Sequence, residues 1–532
     1  MRTSTRILII GSGPVGATYA RLLLEARPEA QVTMIEAGPQ LTERPGASVR
    51  NIADPDARAR AREMSQGPQS TALRRSLGIP EDTMVEGTFT ARQGTHLVDF
   101  GGPGSGHAAE FPAAAVATNV GGQGAHWTCA VPRPAFSERI PFIPDDEWDE
   151  LVRTAEELVH ATATAFADSP VGGAIRSLLS EEFAADLPAG YGPSFLPVAG
   201  DENPDGTMTW AGTDFVLGPL IEEESEFSRR FELHDLTLAR RVLHEDGRAT
   251  GAEVEDLRTG RRRTVEADAV VVAADALRSP QLLWASGIRP TALGHYLTEH
   301  PVVISTVALD ATAMSRHASE EELERELARR ARNPSDPVSA VNRIPFSEPE
   351  HPFAAQIMYA ETPPFPLAAD HPLAGNRWGY VNMGYGLRKR PRFEDAVLFD
   401  DEEQDYRGLP NMTIRYGLGE EEHREVDLAT ALLRRAASAL GEFVAEPRLM
   451  PPGSSLHYQG TMRMGPADDG TSVADPWSTV WGFDNLVVAG NGLIPTATAV
   501  NPTLTSMAIA VRGARRLAEE LGAARAALSR TP

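Results

Sequence analysis

The sequence predicts an α/β protein: a three-layer unit whose sheet is assembled from separated stretches of chain, with a second α+β unit built from the insertions between them. Three observations predict it. Strand, glycine turn, helix and strand follow one another over residues 7–36. A second strand–turn–helix unit occupies 269–287, and a third begins at Leu486 and runs into a long C-terminal helix. Strands alternating with helical stretches are the pattern of a parallel sheet covered by helices.

Each element has its local reason. Ile7-Leu8-Ile9-Ile10 is a continuous apolar run, as a strand buried on both faces requires. Gly11-Ser12-Gly13-Pro14-Val15-Gly16 interrupts it, Ala17 to Glu25 is helical with Leu22, Leu23 and Leu24 to pack on the sheet, and Val32 to Ile35 is a strand ending at Glu36. Residues 44–83, rich in Arg and Asp, read as a partly helical surface excursion, and Gly101–Gly106 as a glycine-rich loop. Ala269 to Ala274 is a buried-type strand, and Ser279-Pro280-Gln281-Leu282-Leu283 reads as the opening of a helix with Pro in its favoured first turn. Between 306 and 454, charged helical pieces such as Glu320 to Arg332 alternate with Pro-rich loops and short strands. Leu486 to Ala489 is again a strand, Gly490-Asn491-Gly492 turns the chain, and Thr503 to Glu520 is an amphipathic helix.

Composition bounds the partners. The 532 residues are 42% hydrophobic and 23% charged, ordinary for a globular chain with a large core. Fifty basic against 74 acidic residues give a net charge of −24. Such a surface repels phosphate backbones and anionic lipid, which excludes nucleic acid and membrane surfaces as expected partners. The single cysteine, Cys129, excludes intramolecular disulfides and cysteine-rich metal clusters, and the 13 histidines show no ligand spacing, so no metal site is expected. The first apolar run is four residues long, too short for a secretory signal, and no stretch approaches a membrane span. A cytoplasmic protein is the expectation; oligomeric state is left open.

Four segments carry chemistry. Gly11-x-Gly13-x-x-Gly16, between a strand and a helix, is the Rossmann-type dinucleotide fingerprint: its glycines permit the tight turn, backbone approach to a pyrophosphate and close helix packing. Glu36, twenty residues beyond Gly16, is placed for a ribose hydroxyl. Thr118 to Ala130 combines Gly121 and Gly122 with His126, Trp127, Thr128 and Cys129, suited to a flat ligand or equally to a tight buried loop. His457 to Gly465 and Asn491 to Thr505 supply a histidine and an asparagine; alone, His457 reads as structural and Asn501-Pro502 as a helix cap.

Taken together, these segments resemble the glucose–methanol–choline oxidoreductase superfamily, in its pyranose oxidase branch with the bacterial sugar and C-glycoside oxidases. The resemblance rests on Gly11–Gly16, Gly121–Cys129, Leu277–Leu283, Gly294-His295-Tyr296-Leu297-Thr298-Glu299-His300-Pro301, His457–Gly465 and Asn501-Pro502-Thr503, in family order over nearly the whole chain. It implies FAD, held by Gly11, Gly13, Gly16, Glu36, Gly121, Gly122, His126, Trp127, Thr128, Cys129, Asn491, Pro502 and Thr503, and a catalytic pair, His457 and Asn501. It implies an FAD-binding domain from 1–160, 229–305 and 455–532 and a substrate domain, mostly antiparallel sheet with helices, from 161–228 and 306–454. The implied reaction is oxidation of a ring hydroxyl, C2 or C3, of a pyranose or its C- or O-glycoside, with oxygen or a quinone taking the electrons. The alternatives are a dehydrogenase of a non-sugar alcohol in the same superfamily and a flavin-containing lyase of hydroxynitrile type. The lead-in to His126-Trp127 differs from that of the fungal relatives, so their covalent histidyl–flavin bond is not carried over. Cys129 is expected to be buried filler, and Asp400 to Arg407 either a solvated charged turn or a lid whose carboxylates accept sugar hydroxyls.

Overall fold

The computed structural model describes residues 4–66, 96–97, 110–331, 338–364, 367–405 and 407–530; the glycine-rich stretch 101–106 and residues 67–83 lie outside them. A five-stranded parallel sheet forms the first layer, in the order Leu486–Val488, Ala269–Val272, Thr5–Ile10, Ala30–Ile35, Phe231–His234. The registers Ile7↔Ala269, Ile7↔Val32 and Val270↔Leu486 tie the beginning, middle and end of the chain into one ladder. Ile7, Leu8, Ile9 and Val270 to Val272 are all buried, which is why these strands are apolar at every position instead of alternating. The helix Pro14–Ala26 packs on this sheet and is covered by the C-terminal helix Thr503–Arg530, which also meets Asp145–Leu158. A three-stranded antiparallel meander over 237–266 packs on the strands Thr5–Ile10 and Ala269–Val272.

The second sheet is antiparallel and six-stranded: Gly441–Leu449, Val302–Leu309, Tyr380–Gly386, Ala354–Ala360, Val338–Ile344, Ser194–Phe195. The helix Glu420–Leu440 packs against it through Ala429, Leu433, Ala436, Ala437 and Leu440. Its period-two alternation, as in Ala354–Ala360, turns Gln356 to one face and Ala355 and Ile357 to the other. Among the described residues no helix is long and apolar enough to cross a membrane, and no group of three or more His, Cys, Asp or Glu could hold a metal ion.

Three local readings are corrected. The helix expected to open at Ser279-Pro280 begins at Asp275, whose carboxylate accepts the N–H groups of Leu277 (2.5 Å) and Arg278 (3.0 Å), so Pro280 lies inside it. A proline there frees the carbonyl four residues back. That carbonyl, Ala276 O, accepts the Thr461 hydroxyl at 2.5 Å, so the proline's cost is met by the segment that carries His457. The charge run that begins at Asp400 faces solvent over Asp400–Gln404, but as a strand and not a turn. It is the end of a β-hairpin, Ala396–Gln404 with Pro410–Arg415, pinned by Asp401 to Arg289 at 2.8 Å and by Asp405 to Arg278 at 2.7 Å. Residues 44–66 are helical over Pro55–Gln66 as expected, but Ser48 and Val49 are buried, not part of a surface excursion.

Asp405 is the lock of that hairpin. Its side chain is fully buried and accepts from Arg278, from Gln281 Nε2 at 3.1 Å, and from the N–H groups of Arg407 (2.9 Å) and Leu409 (3.0 Å). Asp405→Ala leaves the Arg278 guanidinium buried without its counter-charge, so a loss of about 3–5 kcal/mol in urea unfolding is expected.

His351 gives the fold a pH dependence. It is buried beside Phe353 (5.3 Å) and Tyr385 (5.2 Å), and burial pushes its pKa down to about 4. The folded ring stays neutral while the unfolded one takes a proton below about pH 6.5, so stability is lost as pH falls from there towards 4. His351→Phe should therefore lose about 2 kcal/mol less than wild type between pH 7.5 and pH 5, measured by denaturant unfolding at both values.

Candidate active site

The loops at the carboxyl ends of the parallel strands converge on one cavity, as open α/β sheets arrange their ligand sites. Gly11 follows the first strand, Glu36 the second, Ala273 the Ala269–Val272 strand and Gly490 the last; all four line it. The cavity is extended: its lining runs from the first glycine turn and Glu36 at one end to His457 and Asn501 at the other.

The first glycine turn is packed at both ends and open in the middle. A Cβ on Gly11 would meet Ala273 O at 2.3 Å, and one on Gly16 would meet Gly11 O at 2.3 Å, whereas one on Gly13 meets nothing within 4 Å. Gly13 lines the cavity at the N-terminus of the Pro14–Ala26 helix, where no side chain caps the helix. Unpaired N–H groups and the positive end of the helix dipole therefore lie at the cavity wall. Glu36 closes this region: its Oε2 accepts from Ser12 N (3.2 Å) and Ser12 Oγ (2.8 Å), its Oε1 from Gly38 N (3.0 Å). Burial pushes the Glu36 carboxyl above its ordinary range, against the pull of these N–H and O–H donors and of Arg407.

Ser12 Oγ also accepts from Gly121 N at 3.0 Å, which joins the first turn to the 118–130 loop. Gly121 is left-handed, at φ 91°, and a Cβ there would stand 2.7 Å from Gly46 Cα, so no other residue fits. Behind the loop, Trp127 Nε1 donates to Ala211 O at 2.7 Å and His126 Nε2 bonds Asn119 Oδ1 at 3.2 Å. Cys129 is fully buried.

His457 and Asn501 line the same cavity from other segments. The His457 segment is held from below by Glu299, a buried carboxylate accepting Gly453 N at 2.7 Å and Ser455 Oγ at 3.1 Å; Ser455 Oγ in turn accepts His457 N at 3.0 Å. His457 Nδ1 meets His300 Nδ1 at 2.9 Å. His300 is buried, and burial pushes its pKa down to about 3, so it is neutral at physiological pH. Asn501 does not cap the C-terminal helix with its side chain: its Oδ1 accepts Gln356 Nε2 at 2.6 Å, and the helix proper runs from Thr503. The loop before it is clamped by Glu138, which accepts from Val500 N at 3.3 Å and from Ala499 N at 2.5 Å.

Of the residues anticipated from sequence, Gly11, Gly13, Glu36, Gly122, Trp127, Thr128, His457, Asn491, Asn501 and Thr503 line the cavity. Gly16, Gly121, His126, Cys129 and Pro502 do not; they shape the loops behind its wall. Sequence reasoning missed Arg278 and Arg407, which also line it, and Gln356 and Thr498, which support its polar groups. The two arginines carried a signal, since each lies in a segment already singled out; Gln356 carried only the alternation of its strand.

Comparison with known proteins agrees with this architecture. Sequence models of the GMC oxidoreductase family match residues 225–302 and 400–510. The chain is 42% identical to a C-glycoside 3-oxidase of Microbacterium trichothecenolyticum over 97% of both chains. It is 31% identical to a pyranose 2-oxidase of Tricholoma matsutake, covering 97% of this chain and 94% of that one. In fold it matches the formate oxidase of Aspergillus oryzae RIB40, at 14% identity with a TM-score of 0.64, covering 98% of this chain and 99% of that one. The parallel sheet with its glycine turn, the antiparallel second sheet and the full-length likeness lead to one assignment: this chain belongs to the GMC oxidoreductase family.

Proposed function

We propose that this chain oxidises a secondary ring hydroxyl of a pyranose glycoside, at C3, with FAD as its cofactor and oxygen as the final electron acceptor. The observation that carries the reading is that His457 and Asn501, 44 residues apart, line one cavity with the glycine turn, in a chain 42% identical to a C-glycoside 3-oxidase. The family's flavin fits the residues present. The open backbone at Gly13, the uncapped helix behind it and Glu36 would hold the diphosphate and ribose, while Gly122, Trp127, Thr128, Asn491 and Thr503 line the remainder. When bound, FAD supplies the hydride acceptor that no side chain can provide.

The chain's own residues then handle the hydroxyl. His457 takes the O–H proton as the C–H bond gives up its electron pair, and an imidazole is suited to that task near neutral pH. Asn501, fixed by Gln356, orients the same oxygen. A neutral sugar pays no electrostatic penalty in a protein of net charge −24, whereas a sugar phosphate does. We assign the FAD domain to 1–160, 229–305 and 455–532, which supply all five parallel strands, and the substrate domain to 161–228 and 306–454, which supply nearly all of the antiparallel sheet. His126 stands outside the cavity wall with Nε2 engaged by Asn119, which favours a flavin held without a covalent bond.

The purified protein should be yellow, and acid precipitation should leave the colour in the supernatant. Gly13→Leu should give a colourless protein that still unfolds cooperatively, because its side chain enters the cavity and not the core. In an oxygen-free stopped-flow mix, an aryl C-glucoside should bleach the wild-type flavin. His457→Ala should retain flavin and bleach about 10²–10⁴-fold more slowly, and Asn501→Ala should fall between the two. Bleaching by small aliphatic alcohols alone, with no response to glucosides, would refute the sugar assignment.

A further inference from the structure

The hydrogen bonds behind His457 leave a choice that the rest of the site does not make. A neutral imidazole offers one N–H donor and one acceptor nitrogen. His300 Nε2 lies 2.9 Å from Gln459 Nε2 and 3.0 Å from Thr498 Oγ1, and Thr498 Oγ1 donates to Gln459 Oε1 at 2.9 Å. With the Gln459 amide placed so, one N–H faces His457 O at 3.3 Å and the other faces His300 Nε2, which accepts whenever it does not instead donate its own proton to Thr498 Oγ1. When it accepts, the His300 proton sits on Nδ1 and is donated across the 2.9 Å contact to His457 Nδ1. The His457 proton is forced onto Nε2, and a nitrogen that already carries a proton cannot take one from a hydroxyl.

Turning the Gln459 amide over reverses every step. Oε1 then accepts from His300 Nε2–H, Gln459 Nε2 donates to Thr498 Oγ1, and His300 Nδ1 becomes the acceptor for His457 Nδ1–H. His457 Nε2 then carries the lone pair, and after it takes a proton the cation still donates from Nδ1 to His300. The same direction at His457 also results with the amide left in place when His300 Nε2–H donates to Thr498 Oγ1, so the direction is set by what His300 Nε2 meets.

We propose that Gln459, acting through His300, decides which ring nitrogen of His457 carries the proton, so that both are positioning residues for the base. The inference rests on His457 being that base. His300 suits the relay because its burial keeps it uncharged, so it passes on a hydrogen-bond direction without competing for the proton. The other ionisable groups around the chain are already committed. Glu299 is held by Gly453 N and Ser455 Oγ, and Glu138 by Ala135 N, Ala499 N and Val500 N. Arg388 acts on Glu138, and the Tyr416 phenol feels Glu299.

The test reads the protonation of His457 directly and through catalysis. The protein carries 13 histidines, and ¹³C-labelled imidazole resonances of the flavin-loaded enzyme can be titrated, with His457 identified as the signal lost in His457→Asn. His300→Leu removes the acceptor for Nδ1–H and should lower the His457 midpoint by about one pH unit. Gln459→Glu, an acceptor towards His300 Nε2, should raise it by about as much, and His300→Gln, whose carbonyl can accept from Nδ1–H, should restore it. The pH limb of anaerobic flavin bleaching should move with the midpoint in each variant. An unchanged midpoint in His300→Leu and in Gln459→Glu would overturn the inference; should the leucine variant fail to fold, Gln459→Glu alone decides. If no glycoside bleaches the wild-type flavin, the proposed function fails, while the titration still tests the relay.

Discussion

The buried carboxylate of Glu36 is the constraint on which the rest of the site depends. It sits at the end of the second strand and gathers Ser12 N, Ser12 Oγ and Gly38 N, while Ser12 Oγ takes Gly121 N. Three backbone segments are thereby fixed around one group whose own burial is unfavourable. The glycine turn and the end of the second strand keep their places by donating to that carboxylate, and the 118–130 loop by donating to Ser12 Oγ. An apolar residue at 36 would leave the strand intact and the loops unanchored.

The same device recurs on the other side of the cavity. Glu299 holds the Gly453–His457 segment and Glu138 holds the loop before Asn501, in each case through backbone N–H or hydroxyl donors. The two side chains proposed for chemistry are thus positioned by carboxylates that never reach the cavity wall. Pro280 adds a fourth link, since the carbonyl it frees is taken by Thr461, four residues beyond His457. Buried polar groups of this kind rigidify only when fully satisfied, and here each finds its donors on a different segment of chain.

How much of this the sequence disclosed follows from the range of the interactions. The parallel strands were legible because burial on both faces leaves a continuous apolar run, and the first turn because its glycines answer to contacts within one strand–helix unit. Pro280 was misread because the rule that places proline in a first turn is local, while the hydroxyl that takes the carbonyl it frees lies 185 residues from that carbonyl. The stretch from Asp400 to Glu403 was read as a turn because its acidic side chains face solvent on a strand, and a hairpin arm with exposed carboxylates has the composition of a turn. Thr498 gave no signal and Gln356 only the alternation of its strand, because each matters through bonds to residues made elsewhere in the chain.

The strand order of the parallel sheet also governs when the protein can acquire its site. The Thr5–Ile10 strand pairs with Ala269–Val272, which pairs in turn with Leu486–Val488. At a synthesis rate of about 5–20 residues per second, the first of these strands waits on the order of 25–100 s for the last. Throughout that interval an apolar edge lies open, and the cavity lacks the wall that Asn491, Asn501 and Thr503 provide. A complete cavity thus requires the stretch from Leu486 to Thr503, and until it is made the parallel sheet presents an unpaired apolar edge.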